Sequence, residues 1–206
     1  MKVSLTDAGK RFNRDWIFRH LTYNFETGNS YAIIGPNGSG KSTLLQVLSG
    51  AMQLSEGKNA WSIADSQLTK EEVYKHVSIC APYLEVVEEM TLNEFLNFHD
   101  HLKPFLSALT VEHIIDIVGL TEAVHKQIRY FSSGMKQRVK LAQAIFSDTA
   151  FLLLDEPCTN LDTAGILLYN ELIAQYGKER LVIVSSNDET EYSFCTKRIN
   201  ITEHKQ

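Results

Sequence analysis

Nine consecutive residues, Gly35-Pro36-Asn37-Gly38-Ser39-Gly40-Lys41-Ser42-Thr43, set a glycine, four intervening residues and then a Gly-Lys-Ser step. Glycines let a backbone curl until successive N–H groups point inward, and a following helix adds its positive end, so this spacing builds a cradle for phosphate oxygens. Lys41 would bring a point charge to the β- and γ-phosphates of a nucleoside triphosphate, and the Ser42 hydroxyl would ligate Mg²⁺. A second cluster, Phe151-Leu152-Leu153-Leu154-Asp155-Glu156-Pro157, is an apolar run ending in two acids. A buried strand would deliver Asp155 rigidly to a sheet edge, where it can hold the Mg²⁺ shell. Glu156, with its side chain turned differently, is suited to polarise an attacking water as a general base.

These residues need strands and helices to carry them, and the hydrophobic pattern supplies candidates. Ser30–Ile34 is a short apolar run entering the glycine turn, and Ser42–Ser49 beyond it reads as a helix, the opening of an α/β fold. Ala150–Leu154 and Leu181–Val184 are strand-sized and continuously apolar, as expected of central strands covered on both faces. Between Glu85 and Ser147 the pattern becomes helical. Leu92, Phe95, Leu96 and Phe98 form one broad face, followed by Val111, Ile114, Ile115 and Val118, then Val139, Ala142 and Ile145. The first thirty residues alternate apolar and polar, with Val3, Leu5, Leu21, Tyr23 and Phe25 suggesting antiparallel edge strands. His99-Asp100-His101 is read as solvated surface and not as a metal site, since i and i+2 on a helix face different ways.

At 206 residues the chain has room for one domain with an inserted lobe. Twenty basic against 25 acidic residues give a net charge of −5, which argues against a nucleic-acid-coating surface. No apolar run approaches the roughly 18 residues of a transmembrane helix, and no signal-peptide stretch follows Met1. Three scattered cysteines lack zinc-like spacing and point to reduced thiols in a cytosolic protein.

With Tyr130-Phe131-Ser132-Ser133-Gly134-Met135-Lys136-Gln137-Arg138 added, the chain resembles the ATPase subunits of ABC transporters. Ser132-Ser133-Gly134 occupies the slot of that family's signature, shortly before the Walker B strand. Thr159-Asn160-Leu161-Asp162 sits where the family keeps its D-loop. The resemblance runs from about Val3 to Ile201 with its motifs in family order. It implies a single ABC ATPase domain over 1–206: a P-loop NTPase (RecA-like) α/β core, about 1–82 and 148–206, with antiparallel edge strands and an inserted helical subdomain at about 83–147. It further implies ATP and Mg²⁺ as ligands and a homodimer or heterodimer in which each ATP lies between one subunit's P-loop and the other's signature. A separate membrane permease would complete the assembly, with the chain peripheral on the cytoplasmic face of the membrane and no nucleic acid bound. The family stacks adenine on an aromatic residue upstream of the P-loop. Phe12 is the best match and Trp16 the second, with stacking worth on the order of 1–3 kcal/mol.

Three positions depart from the family pattern. Ser133 replaces a glycine of the signature, Pro82 stands in the place of the Q-loop glutamine, and Asn187 stands where a switch histidine touches the γ-phosphate. An amide can donate a hydrogen bond there but can neither take up a proton nor carry a charge at neutral pH. The expected function is ATP binding and hydrolysis that energises a permease. A soluble ABC-type ATPase outside transport and a slow or non-hydrolysing regulatory module are the alternatives.

Overall fold

A computed structural model describes residues 1–64 and 66–205. The chain opens with a long antiparallel hairpin, β1 (Lys2–Phe12) and β2 (Asp15–Glu26), in which Val3 faces Phe25 and Leu5 faces Tyr23. The alternation read from sequence is therefore the register of this pair. β3 (Ser30–Ile34) enters the glycine turn and α1 (Lys41–Leu48) leaves it. Then come β4 (Glu56–Ile63) and β5 (Ser66–Leu68), which complete a four-stranded sheet in the order β2-β1-β4-β5. After α2 (Lys70–His76) and β6 (Val77–Cys80) the chain turns helical, with α3 (Leu92–Leu102), α4 (Val111–Ile117) and α5 (Ser133–Ile145). It returns through β7 (Phe151–Asp155), α6 (Thr163–Tyr176), β8 (Leu181–Ser185), α7 (Glu189–Tyr192) and β9 (Lys197–Asn200). A five-stranded sheet runs β6-β7-β8-β3-β9, every pair parallel.

Side chains alternate across this parallel sheet and divide the core in two. Ile33, Phe151, Leu153, Leu181 and Ile183 face α1 and the antiparallel sheet, meeting Leu44, Leu48, Phe18 and Phe25. Ala32, Leu152, Leu154, Val182 and Val184 face α5 and α6, meeting Ala142, Ile145, Tyr169 and Ile173. That second cluster continues without a break into α3 and α4 through Leu96 and Ile114. All five residues of β7 and of β8 are buried, as their continuous apolar runs require.

Two details of α3 differ from the sequence reading. Phe98 is 46% exposed, whereas His99 is half-buried and its Nε2 pairs with Ser147 Oγ at 2.8 Å. At about 100° per residue, position 99 lies beside Leu92, Phe95 and Leu96, while position 98 lies well off their face. Burial pushes the His99 imidazole down to about 4, assisted by the nearby Lys103 charge.

Candidate nucleotide-binding site

The glycine turn lies at the carboxyl end of β3, and strand order brings two further loops beside it. β8 pairs with β3, and β7 pairs with β8, so the turns after Ser185 and Asp155 open on the same edge. Ligands of open parallel sheets bind at this edge. A cleft of about 230 Å³ there is lined by Ile17, Asn37, Gly38, Gly40, Lys41, Ser42, Thr43 and Glu156. Gly35, Pro36 and Ser39 complete the loop that frames it. Gly40, which caps α1, has φ of 105°, and a Cβ there would strike Ile17 Cγ2. Only glycine permits both the turn and the approach of β2.

Lys41 is 5% exposed and its Nζ folds back onto the Gly35 carbonyl at 2.7 Å and the Pro36 carbonyl at 3.3 Å. A cation capped only by carbonyl oxygens inside an N–H-lined turn is ready to exchange them for phosphate oxygens.

Asp155 is placed by strand alternation. Phe151 and Leu153 face α1, so Asp155 faces it too, toward Ser42 in the first turn of that helix. The carboxylate is 1% exposed, and neither oxygen has a hydrogen-bond partner of ordinary geometry. Burial raises its pKa, against the pull of the Ser42 and Ser185 hydroxyls and the Lys41 charge. A buried, unpartnered carboxylate next to a hydroxyl is the donor set that a Mg²⁺ ion or its water shell would satisfy. The residues present therefore fit the metal expected from sequence.

Glu156 leaves the strand with φ of 44°, a left-handed conformation uncommon outside glycine and asparagine. Its N–H donates to the Ser185 carbonyl at 2.9 Å, and the residue lines the phosphate-loop cleft. Asn187 follows β8, and its Nδ2 donates to Asn37 Oδ1 of the glycine loop at 2.8 Å. The loop that carries Asn187 thus touches the glycine loop directly.

Ser132, Ser133, Gly134 and Asp162 lie elsewhere. They line a separate depression shared with Gly119, Arg138 and Asn160, which has no residue in common with the phosphate cleft. Ser132 caps α5, its hydroxyl accepting from the Met135 N–H at 3.2 Å, and Asp162 caps α6 by accepting from the Gly165 N–H at 2.8 Å. Ser132 and Ser133 are exposed at the start of a 13-residue helix, so donors and a helix N-terminus face solvent.

Phe12 ends β1 at 46% exposure with the Lys10 ammonium 5.2 Å above its ring, and the Trp16 ring has the Arg19 guanidinium at 4.5 Å and the Arg11 guanidinium at 5.5 Å. The hairpin residue that lines the cleft is Ile17, which sequence reasoning passed over. Its signal was only its place one residue after Trp16 in an alternating strand. Pro82 lies in the turn after β6, where its carbonyl accepts from Lys140 Nζ at 3.1 Å.

A glycine-rich cradle at the carboxyl end of a parallel strand, facing a buried aspartate two strands over, defines a P-loop nucleotide-binding protein with a mixed α/β fold and a helical subdomain. Residues 18–159 match the family described as ABC transporter, and the chain belongs to that family. Among its relatives, the ABC transporter ATP-binding protein YhcH of Bacillus subtilis is 31% identical over 97% of this chain, which spans 66% of YhcH. The lantibiotic transport ATP-binding protein SrtF of Streptococcus pyogenes is 30% identical over 90% of this chain and 79% of its own length. The solved ATP binding subunit of an ABC transporter superposes with a TM-score of 0.83 at 22% identity, covering 98% of this chain and 86% of its own. A dimeric bacterial ABC transporter cassette superposes with a TM-score of 0.78 at 19% identity, covering 97% and 94%.

Proposed function

We propose that the chain hydrolyses ATP with Mg²⁺ and thereby energises a separate membrane permease, working as a homodimer or a heterodimer with a second ATPase subunit. The observation that carries this reading is the division of the site. Phosphate-binding groups and Glu156 share one cleft, while the exposed α5 N-terminus with Ser132 occupies another. One copy thus presents half of an ATP site on each of two surfaces, and a second copy would complete both. Lys41 holds the β- and γ-phosphates, Ser42 and Asp155 hold the metal, and Phe12 offers its ring to the adenine. When bound, Mg²⁺ neutralises charge between the β- and γ-phosphates. Glu156 accepts a proton from the attacking water, and Asn187 orients the γ-phosphate or that water through its amide. The partner's Ser132, the N–H groups near Gly134 and the Asp162 turn close the site, and the donors stabilise charge on the transferring phosphoryl group.

Among the described residues no helix is long and apolar enough to cross a membrane. On this reading the membrane work belongs to the separate permease, with this chain peripheral on the cytoplasmic face. A second reading, a regulatory module with slow turnover, is favoured by the proline at position 82 and the amide at 187. Phosphate release separates the two. The dimer with its shared ATP sites is tested by size-exclusion chromatography of Glu156→Gln with MgATP. Loss of the base blocks exit from the ATP-bound state, so this variant elutes as a dimer. A variant that binds ATP and stays monomeric refutes the shared site. Co-purification with a membrane protein tests the permease.

A further inference from the structure

The turn behind Glu156 is gripped from two directions by side chains outside the phosphate cleft. From α5, the buried Gln137 amide donates to the Pro157 carbonyl at 2.7 Å. From α7, Glu191 Oε1 accepts the Cys158 N–H at 2.7 Å. Glu191 is a carboxylate with 5% of its surface exposed, and its own backbone is fixed. The fully buried Tyr169 hydroxyl donates to its carbonyl at 2.8 Å, and its N–H donates to the Asp188 carbonyl at 3.1 Å. Asp188 follows Asn187, whose amide reaches Asn37. The path of contacts therefore runs from the Glu156 turn, through Glu191 and the Asn187 turn, to the phosphate loop.

Burying a carboxylate is costly unless its bonds are needed where it sits. The left-handed backbone of Glu156 likewise persists only where neighbours over-determine it. We propose that Glu191 is a positioning residue for hydrolysis, which sets the depth of the Glu156 turn and ties it to the Asn187 turn so that base and amide are held in one frame. The proposal rests on Glu156 acting as the base, since only then does its placement govern turnover.

Three variants of the full chain separate this role from general stability. Glu191→Gln keeps the length and an acceptor oxygen, Glu191→Asp keeps the charge but withdraws by one methylene, and Glu191→Ala removes both. MgATP affinity should hold within about threefold in all three, while kcat falls on the order of tenfold or more in Asp and Ala and is largely retained in Gln. Full turnover in Glu191→Asp, equal loss in Gln and Ala, or affinity falling in step with kcat would each overturn it. If Glu191→Ala does not fold, the contrast of Gln with Asp decides alone. A wild-type chain that binds MgATP and releases no phosphate refutes hydrolysis instead, and the grip is then judged by hydrogen exchange. Slow exchange of the Cys158 amide in wild type and Gln, with exchange on the order of tenfold faster in Asp, upholds it; equal exchange in all three overturns it.

Discussion

Asp155→Asn should make the nucleotide-free protein more stable and the nucleotide-loaded protein less so. In the folded chain the Asp155 carboxylate is buried with both oxygens unpartnered, and burial raises its pKa above the ordinary 3.8. An unsatisfied buried polar group costs about 1–3 kcal/mol, and more when charged. The Lys41 charge and the Ser42 and Ser185 hydroxyls offset part of that, so a neutral side chain of the same shape should gain about 1–2 kcal/mol. For a chain of this size the gain corresponds to a rise in Tm of roughly 2–8 °C. MgATP at a hundred times its Kd should add about 2.7 kcal/mol to wild type and far less to the variant, which lacks the carboxylate proposed to hold the metal. The order of melting temperatures therefore reverses when MgATP is added. The raised acid sets the pH dependence: its protonated form is favoured by the fold, so that contribution is full below pH 3.8 and lost as pH rises through the folded value. The advantage of asparagine should accordingly shrink as pH falls toward 4. Differential scanning fluorimetry with and without MgATP reads all of this. A variant that melts below wild type without nucleotide refutes the strained-carboxylate argument, and an equal MgATP shift refutes the metal role.

Lys41→Ala removes the buried point charge of the phosphate loop, and nucleotide titration should find tight ATP binding abolished. Asn187→Ala should lower kcat by roughly a hundredfold, about 3 kcal/mol, with ATP affinity little changed, while Asn187→His retains or raises activity; wild-type turnover in the alanine variant would remove the residue from the site. His99, held near 4 by burial, is neutral in the fold, so its contribution is present above pH 6.5 and lost as pH falls through 4. After discounting for its partial exposure, urea unfolding should show wild type losing about 2 kcal/mol more than His99→Gln between pH 7 and 4.

The elements legible in the residues alone are ones whose cause is local. Glycine spacing makes the phosphate loop wherever a strand enters it and a helix leaves it, and Ser30–Ile34 and Lys41–Leu48 are those elements. Continuous apolar runs forced β7 and β8 into a sheet covered on both faces, and the alternation of Val3, Leu5, Tyr23 and Phe25 fixed the hairpin register. That Ser132 and Asp162 cap α5 and α6 was seen only in the structure. Tertiary structure decided what depends on which strand lies beside which. Strand order, and not spacing along the chain, sets Asp155 opposite Ser42 and Asn187 against Asn37. Helical phase fitted to the sheet turned His99 inward and Phe98 outward, where composition favoured the reverse. Ile17 and Glu191 carry no motif, because a branched side chain or a carboxylate takes on a role only from what it touches after folding: the phosphate cleft for one, the Cys158 amide for the other.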